Sequence, residues 1–290
     1  MNILLAAFLG VIQAATEFLP VSSTAHLLVF GELLGQSLED ERFRAFVAII
    51  QVGTTISVIA YFRQALWEIV RAVVAGLVAR DPLGTADARI GWLIALGTIP
   101  AAVAGLLLEK RIESLGNVVI AASLVVWGLV LLLAERFAKH QRTISDVGLR
   151  DAIVVGVGQA LALVPGTSRS GATITTGMLG GLTREAAARF SFLLSVPITL
   201  AAGVYKLVKV LPVLRGRPDW TIATLVGTVV SLAFGYVVID WLLHWLRTRS
   251  TYVFVAWRIA AGIVIAVLVW KGVLPETTSA APSVAPPGAP

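Results

Sequence analysis

Two short stretches hold most of the side chains in this chain that could do chemistry. In the first, Gln13 and Glu17 stand four residues apart, Pro20 follows, and then come Ser22, Ser23, Thr24 and His26. A four-residue spacing puts Gln13 and Glu17 on one helix face. A proline ends such a helix, because the residue before it is driven toward extended geometry. Ser22 or Ser23 is then placed to cap the next helix. His26, four residues after Ser22 and three after Ser23, shares a face with those hydroxyls. A carboxylate, a hydroxyl and an imidazole around one break are the parts of an activated nucleophile. In the second stretch Pro165-Gly166-Thr167-Ser168 breaks the chain and a helix restarts around Ser168, with Arg169 in its first turn and Ser170 and Thr173 beyond. A helix N-terminus offers free N–H groups and the positive end of the helix dipole, which favour an anion. A guanidinium in that turn can grip phosphate oxygens with two parallel donors. An Arg buried in a membrane segment needs a partner, and either a pyrophosphate or Glu17 would serve.

Plainer readings compete with this one. Hydroxyls in apolar helices bond back to their own backbone, a single His can be a helix-contact donor, and Glu17 with Arg169 can be a structural ion pair. The conjunction argues otherwise: one acid, one imidazole, one guanidinium and several hydroxyls gather at two proline breaks, and the remaining apolar segments contain little comparable. Gln51 and Gly53 read as helix packing. Arg258, near the start of the last apolar segment, reads as an arginine that snorkels to the interface. The Trp residues near segment ends read as interface anchors.

The elements that must position these groups follow from composition. Hydrophobic residues make up 57% of the 290 and charged residues 14%, against about 25% charged in a soluble domain. Mean hydropathy is +0.87. Six segments are long enough to cross a bilayer, at about 45–62, 90–108, 117–135, 187–208, 220–241 and 252–270, since about 20 apolar residues span the hydrocarbon. Residues 3–34 and 151–182 are different: each is two short apolar arms around a polar break, and neither arm can cross. They are expected to be re-entrant hairpins whose breaks sit in protein or in a wet cavity. The expected fold class is therefore all-α: a polytopic membrane protein with six transmembrane helices and two re-entrant helical hairpins.

Three pairs of segments match in the same order: GVIQAATEFLPVSSTAH (10–26) with GVGQALALVPGTSRSGA (156–172), FVAIIQVG (46–53) with FSFLLSVP (190–197), and GTIPAAVAG (97–105) with GTVVSLAFG (227–235). One membrane domain over 1–272 is thus expected, with repeat one about 1–136, repeat two about 147–272, and a disordered Pro/Ala/Ser-rich tail over 276–290. Each half holds one hairpin and three spans. Three is odd, so the repeat should be inverted, an arrangement that sets a site near the membrane midplane. One set of loops carries twelve Lys and Arg, including Arg136, Arg142 and Arg184, and the other nine, including Lys206 and Lys209. The first set is placed in the cytoplasm, with both termini outside. The first 16 residues lack the basic region and cleavage site of a signal peptide. No cysteine is present, which removes disulfides and thiolate chemistry. The net charge of +6 belongs to loops, and no interleaved basic and aromatic surface points to nucleic acid.

At these residues the chain resembles the undecaprenyl-diphosphatase family, the bacitracin-resistance type of lipid pyrophosphatase. Two strings carry the likeness: Gln13-Ala14-Ala15-Thr16-Glu17-Phe18-Leu19-Pro20-Val21-Ser22-Ser23-Thr24-Ala25-His26 and Pro165-Gly166-Thr167-Ser168-Arg169-Ser170-Gly171-Ala172-Thr173-Ile174. The resemblance implies hydrolysis of undecaprenyl pyrophosphate to undecaprenyl phosphate and phosphate, on the outer face of the bacterial cytoplasmic (inner) membrane, recycling the carrier lipid of cell-wall synthesis. It implies a divalent cation, Mg²⁺ or Ca²⁺. It maps an acidic motif onto Gln13 and Glu17, where Gln13 removes one anionic ligand and leaves Glu17 to the metal, and it maps the family's serine, histidine and arginine onto Ser23, His26 and Arg169. Ala25 stands where glycine is common. The expected division of labour makes Glu17, Ser23, His26 and Arg169 catalytic, with Gln13, Ser22, Thr24, Ser168, Ser170 and Thr173 binding substrate. His26 would activate either Ser23 or a water. The expected partners are the membrane, the polyprenyl pyrophosphate and a second copy of the chain in a homodimer. The rival class is a lipid-phosphate or anion transporter, since broken-helix inverted repeats serve transport too.

Overall fold

The computed structural model describes residues 1–36, 40–113, 115–214 and 218–276; the tail expected to be disordered lies, from residue 277 on, outside them. The described residues form α-helices joined by short connections, with no strand among them: α1 (Ile3–Phe18), α2 (Ser23–Leu33), α3 (Glu41–Tyr61), α4 (Arg63–Val78), α5 (Ala86–Glu113), α6 (Asn117–Phe137), α7 (Leu149–Leu161), α8 (Arg169–Leu179), α9 (Arg184–Leu214), α10 (Pro218–Thr248) and α11 (Tyr252–Trp270). Six of them, α3, α5, α6, α9, α10 and α11, are long and apolar enough to cross a membrane, and each covers one of the six expected segments. The chain is a multi-pass membrane protein.

The helices flanking the two breaks are short. α1 and α2 have 16 and 11 residues, and α7 and α8 have 13 and 11. At 1.5 Å per residue these reach roughly 16–24 Å, short of the roughly 30 Å hydrocarbon core. Leu19, the residue before Pro20, is extended (φ −63°, ψ 141°), as the proline requires. α1 packs on α2 across its break, and α7 on α8.

The two halves exchange partners. α1 and α3 pack on α10; α7 and α9 pack on α5; α3 meets α9 and α6 meets α11. Two glycine crossings make this packing close. A Cβ on Gly10 would collide with the backbone of Gly227, and a Cβ on Gly156 with the backbone of Gly97. Gly10 and Gly156 open the first matched pair of sequence strings, and Gly97 and Gly227 open the third. The repeat therefore marks the places where helices touch backbone to backbone.

α4 has no counterpart among the expected elements. Its charged residues, Arg63, Glu68 and Arg71, interrupt the apolar run and hide it from a search for uninterrupted spans. Ile69 is buried and Leu66 packs beside it, and Val73 faces Gly91 of α5. This 3–4 spacing is that of an amphipathic helix.

Ion pairs knit together one end of the bundle, the end that carries the larger set of basic residues. Arg184 Nε donates to both oxygens of Glu135 at 2.9 and 3.0 Å, and Thr251 donates to the same carboxylate from its hydroxyl at 2.9 Å. Arg142 forks onto Asp151 at 2.6 and 2.8 Å and also reaches the Gly180 carbonyl at 2.8 Å. The connection after α6 is thereby fastened to both outer ends of the α7–α8 pair, which fixes where its inner break sits.

Candidate active site

Both breaks open on one cavity of about 280 Å³. From the first come Glu17 at the end of α1 and Ser22, Ser23 and Thr24 at the start of α2; from the second come Pro165, Gly166, Ser168 and Arg169 at the start of α8. Ser22 and Ser168, the residues preceding α2 and α8, both have positive φ (76° and 70°). This conformation is costly for residues other than glycine and concentrates at functional sites. In each half the strain turns the chain so that a new helix begins at the cavity wall. Ser168 Oγ accepts the Gly171 N–H at 3.1 Å, an N-cap of the ordinary kind.

Glu17 and Arg169, 152 residues apart in the chain, meet as an ion pair at 2.9 Å. The other carboxylate oxygen of Glu17 accepts from the Ser23 hydroxyl at 2.8 Å and from the Gln13 amide at 3.2 Å. Phe18, beside Glu17, is fully buried and meets Phe192 of α9 edge-on at 5.6 Å, which anchors the end of α1. The arrangement is a buried carboxylate that holds a hydroxyl on one oxygen and a guanidinium on the other. Nη1 of Arg169 has no hydrogen-bond partner among the described residues, so the group has donor capacity left over.

The other expected site residues divide. Ser170 and Thr173 do not line the cavity. Ser170 is fully buried and donates to the Leu19 carbonyl at 3.1 Å, tying α8 to the first break. Thr173 donates to the Arg169 carbonyl at 2.7 Å and meets the Ser191 hydroxyl of α9. Their hydroxyls bond within the frame instead of facing the cavity. Gln13 also stands behind the wall, its amide donating to Glu17.

His26 departs furthest from expectation. It faces a separate apolar groove with Val29, Phe30 and Trp257. Its Nδ1 is 2.7 Å from the Ser22 carbonyl, and its Nε2 is 2.7 Å from Trp257 Nε1. An indole N–H only donates, so Nε2 accepts and Nδ1 carries the proton to Ser22. Both ring nitrogens are thus engaged away from Ser23, whose hydroxyl bonds Glu17 instead. Trp257, too, is a partner of His26 rather than a simple interface anchor. His26→Gln, whose amide can donate and accept in the same two directions, is expected to keep turnover within about tenfold of wild type, while His26→Ala falls further, one neutral hydrogen bond being worth about 1 kcal/mol. Equal loss in both variants would restore the base role.

Sequence reasoning missed three groups. Gln51, taken for helix packing, lines the cavity and accepts from Lys206 at 3.2 Å, whereas its neighbour Gly53 does pack closely on α10. Gln159 lines the cavity, and its match with Gln13 in the repeat was the signal that could have found it. Arg258, taken for a snorkelling arginine, is fully buried. It donates to the carbonyls of Pro20 at 3.0 Å, Gly166 at 3.2 Å, Thr167 at 2.8 Å and Leu124 at 3.3 Å. One guanidinium thus holds the backbone of both breaks.

Comparison with known proteins places this geometry. The family described as "Bacitracin resistance protein BacA" matches residues 6–264. An undecaprenyl-diphosphatase of Anaeromyxobacter sp. (strain Fw109-5) is 67% identical over 275 residues, covering 95% of this chain and 90% of that protein. One from Anaeromyxobacter dehalogenans (strain 2CP-C) is 68% identical over 280 residues, 97% of this chain and 96% of that protein. One from Myxococcus xanthus (strain DK1622) is 46% identical over 292 residues, the whole of this chain and 96% of that protein. The two broken-helix strings lie within the matched region, and the chain belongs to the BacA bacitracin resistance protein family.

Proposed function

We propose that this chain hydrolyses undecaprenyl pyrophosphate to undecaprenyl phosphate and inorganic phosphate, recycling the carrier lipid of cell-wall synthesis in the bacterial cytoplasmic membrane. The observation that carries the reading is the Glu17–Arg169–Ser23 constellation at two helix starts in one cavity, in a chain whose relatives bear that activity as their name. The α1–α2 and α7–α8 pairs dip into the bilayer from opposite faces as re-entrant hairpins of an inverted repeat. The cavity opens to the extracytoplasmic side, a reading supported by Lys206, which lines it and belongs to the smaller set of basic residues.

In this scheme Arg169 and the two helix starts hold the pyrophosphate and offset the charge that develops on its oxygens. Ser23 gives its proton to Glu17, and its oxygen attacks the terminal phosphorus. The bond to the bridging oxygen breaks, and the polyprenyl phosphate leaves. Water then hydrolyses the phosphoserine, releasing inorganic phosphate and returning the proton to Ser23. Gln13 keeps the Glu17 carboxylate aimed.

A divalent cation, Mg²⁺ or Ca²⁺, does not find a protein-built site here. Among the described residues Glu17 is the one carboxylate of the cavity wall, and both its oxygens are engaged. No group of three or more acidic or histidine ligands occurs among the described residues. The steps above therefore run through the chain's own residues, and a cation, where required, would arrive on the diphosphate.

The test is phosphate release from a polyprenyl pyrophosphate by purified protein in detergent, with and without chelator. No gradient exists there, so a transporter would release none. Ser23→Ala is expected to lower turnover by about 10²- to 10³-fold, within the range for a lost proton-transfer partner. Substantial residual turnover would assign the attack to water instead.

A further inference from the structure

Gln159 is 3% exposed and lines the cavity, yet neither its amide nitrogen nor its amide oxygen has a hydrogen-bond partner among the described residues. Buried polar groups are almost always paired, and an amide left unpaired destabilises the fold that carries it. An apolar side chain of the same size would fill the position without that cost. Among the described residues the cavity wall carries one other buried group of this kind, Nη1 of Arg169.

The two halves explain how Gln159 came to stand without a protein partner. The break residues Ser22 and Ser168 are 146 residues apart, and the same offset takes Gln13 to Gln159 and Glu17 to Leu163. In the first half the Gln13 amide donates to Glu17. In the second, the place of that carboxylate is held by Leu163, which also lines the cavity. Gln159 thus keeps the position of its counterpart and has no carboxylate to bond to.

The unpaired atoms define what would satisfy them. Nε2 of Gln159 and Nη1 of Arg169 each need an acceptor, and Oε1 of Gln159 needs a donor. A phosphoryl group with two free oxygens and one hydroxyl, or one free oxygen pair and a bound water, meets all three. A neutral amide suits this place better than a carboxylate, which would repel the anion. We infer that Gln159 is a phosphate-binding residue, its amide N–H donating to an oxygen of the phosphoryl group held by Arg169. The inference rests on the phosphatase reading of the cavity, and it adds a second-half residue that recognises the phosphate rather than the lipid.

The experiment uses the full chain in detergent, wild type beside Gln159→Met and Gln159→Glu. Three quantities are read: melting temperature without phosphate, affinity for inorganic phosphate by calorimetry, and inhibition of turnover by added phosphate. Gln159→Met should melt at or above the wild-type temperature, because the unpaired amide is gone, while phosphate affinity and phosphate inhibition both weaken about tenfold. Gln159→Glu should weaken both further. A structural role would give the opposite pattern, a lowered melting temperature with unchanged phosphate affinity, and that result would overturn the inference while leaving wild-type turnover and the phosphatase reading intact. A wild-type chain that neither bound phosphate nor released it from a polyprenyl pyrophosphate would overturn both.

Discussion

Arg169→Ala and Glu17→Ala should each lower phosphate release from a polyprenyl pyrophosphate by about 10³- to 10⁵-fold, the range seen when an arginine is removed from a phosphoryl-transfer site, and each should still purify as a folded protein. The expectation follows from where the pair sits. Arg169 is 16% exposed and Glu17 7%, and the exposed remainder faces the cavity. In Arg169→Ala the phosphoryl oxygens lose the guanidinium at the break, and the Glu17 carboxylate loses the cation that holds one of its oxygens in place. In Glu17→Ala the guanidinium remains, but the Ser23 hydroxyl and the Gln13 amide both lose their acceptor. Each change removes a part of the site without touching the α1–α10 and α5–α7 crossings that hold the bundle. The double variant should recover melting temperature relative to either single variant, because an unpaired buried charge is worse than none, while turnover stays lost. Such non-additivity is what a double-mutant cycle measures for groups in contact. Wild-type phosphate release in either single variant would sink the scheme.

What could be read from the chain before its fold was known divides along a physical line. Features set by local sequence were legible. Long, predominantly apolar runs marked the six spans, and prolines with their flanking hydroxyls marked the two breaks. Span ends were legible only where charges mark them: α10 runs to Thr248, beyond the expected end near 241, because Trp241, Leu242, Leu243 and Trp245 continue the apolar face past Asp240. The pairing of Glu17 with Arg169 was also legible, since two lone opposite charges in apolar surroundings have few other partners. What was hidden depends on the rotation of helices about their axes. The direction His26 faces is decided by Trp257, 231 residues away, and nothing near position 26 records it. The same holds for Ser170 and Thr173, which share a helix with Arg169 but turn toward Leu19 and Ser191. Gln51 and Gly53 are two residues apart, so they point to different sides of α3: one meets the cavity, the other meets α10.

Arg258→Met should be the most damaging single change to the fold, and the loss of activity that goes with it should have a different signature from that of Arg169→Ala. A chain that turns out of a helix leaves carbonyls without intrahelical partners, and in an apolar environment those carbonyls need a donor. At the two breaks of this protein the carbonyls of Pro20, Gly166 and Thr167 find theirs in one side chain, with Leu124 of α6 as the fourth acceptor. Arginine is suited to this because its five N–H donors fan out in a plane. Lysine, with three donors on a single nitrogen, cannot address carbonyls on three sides. Methionine keeps the volume and leaves the three break carbonyls of Pro20, Gly166 and Thr167 without the donor that Arg258 supplies. By analogy with breaking a buried charged network, the cost is on the order of 3–5 kcal/mol, a large part of the roughly 5–15 kcal/mol by which proteins are stable. Arg258→Met is therefore expected to melt well below wild type in detergent, and Arg258→Lys to fall between. Arg258 does not line the cavity, so its effect on catalysis must pass through the position of the breaks. In Arg258→Lys, measured at a temperature where the protein is folded, turnover should fall while Gly10, Gly97, Gly156 and Gly227 still hold their crossings. An Arg258→Met protein with wild-type melting temperature and wild-type turnover would show that the two breaks are held by something else.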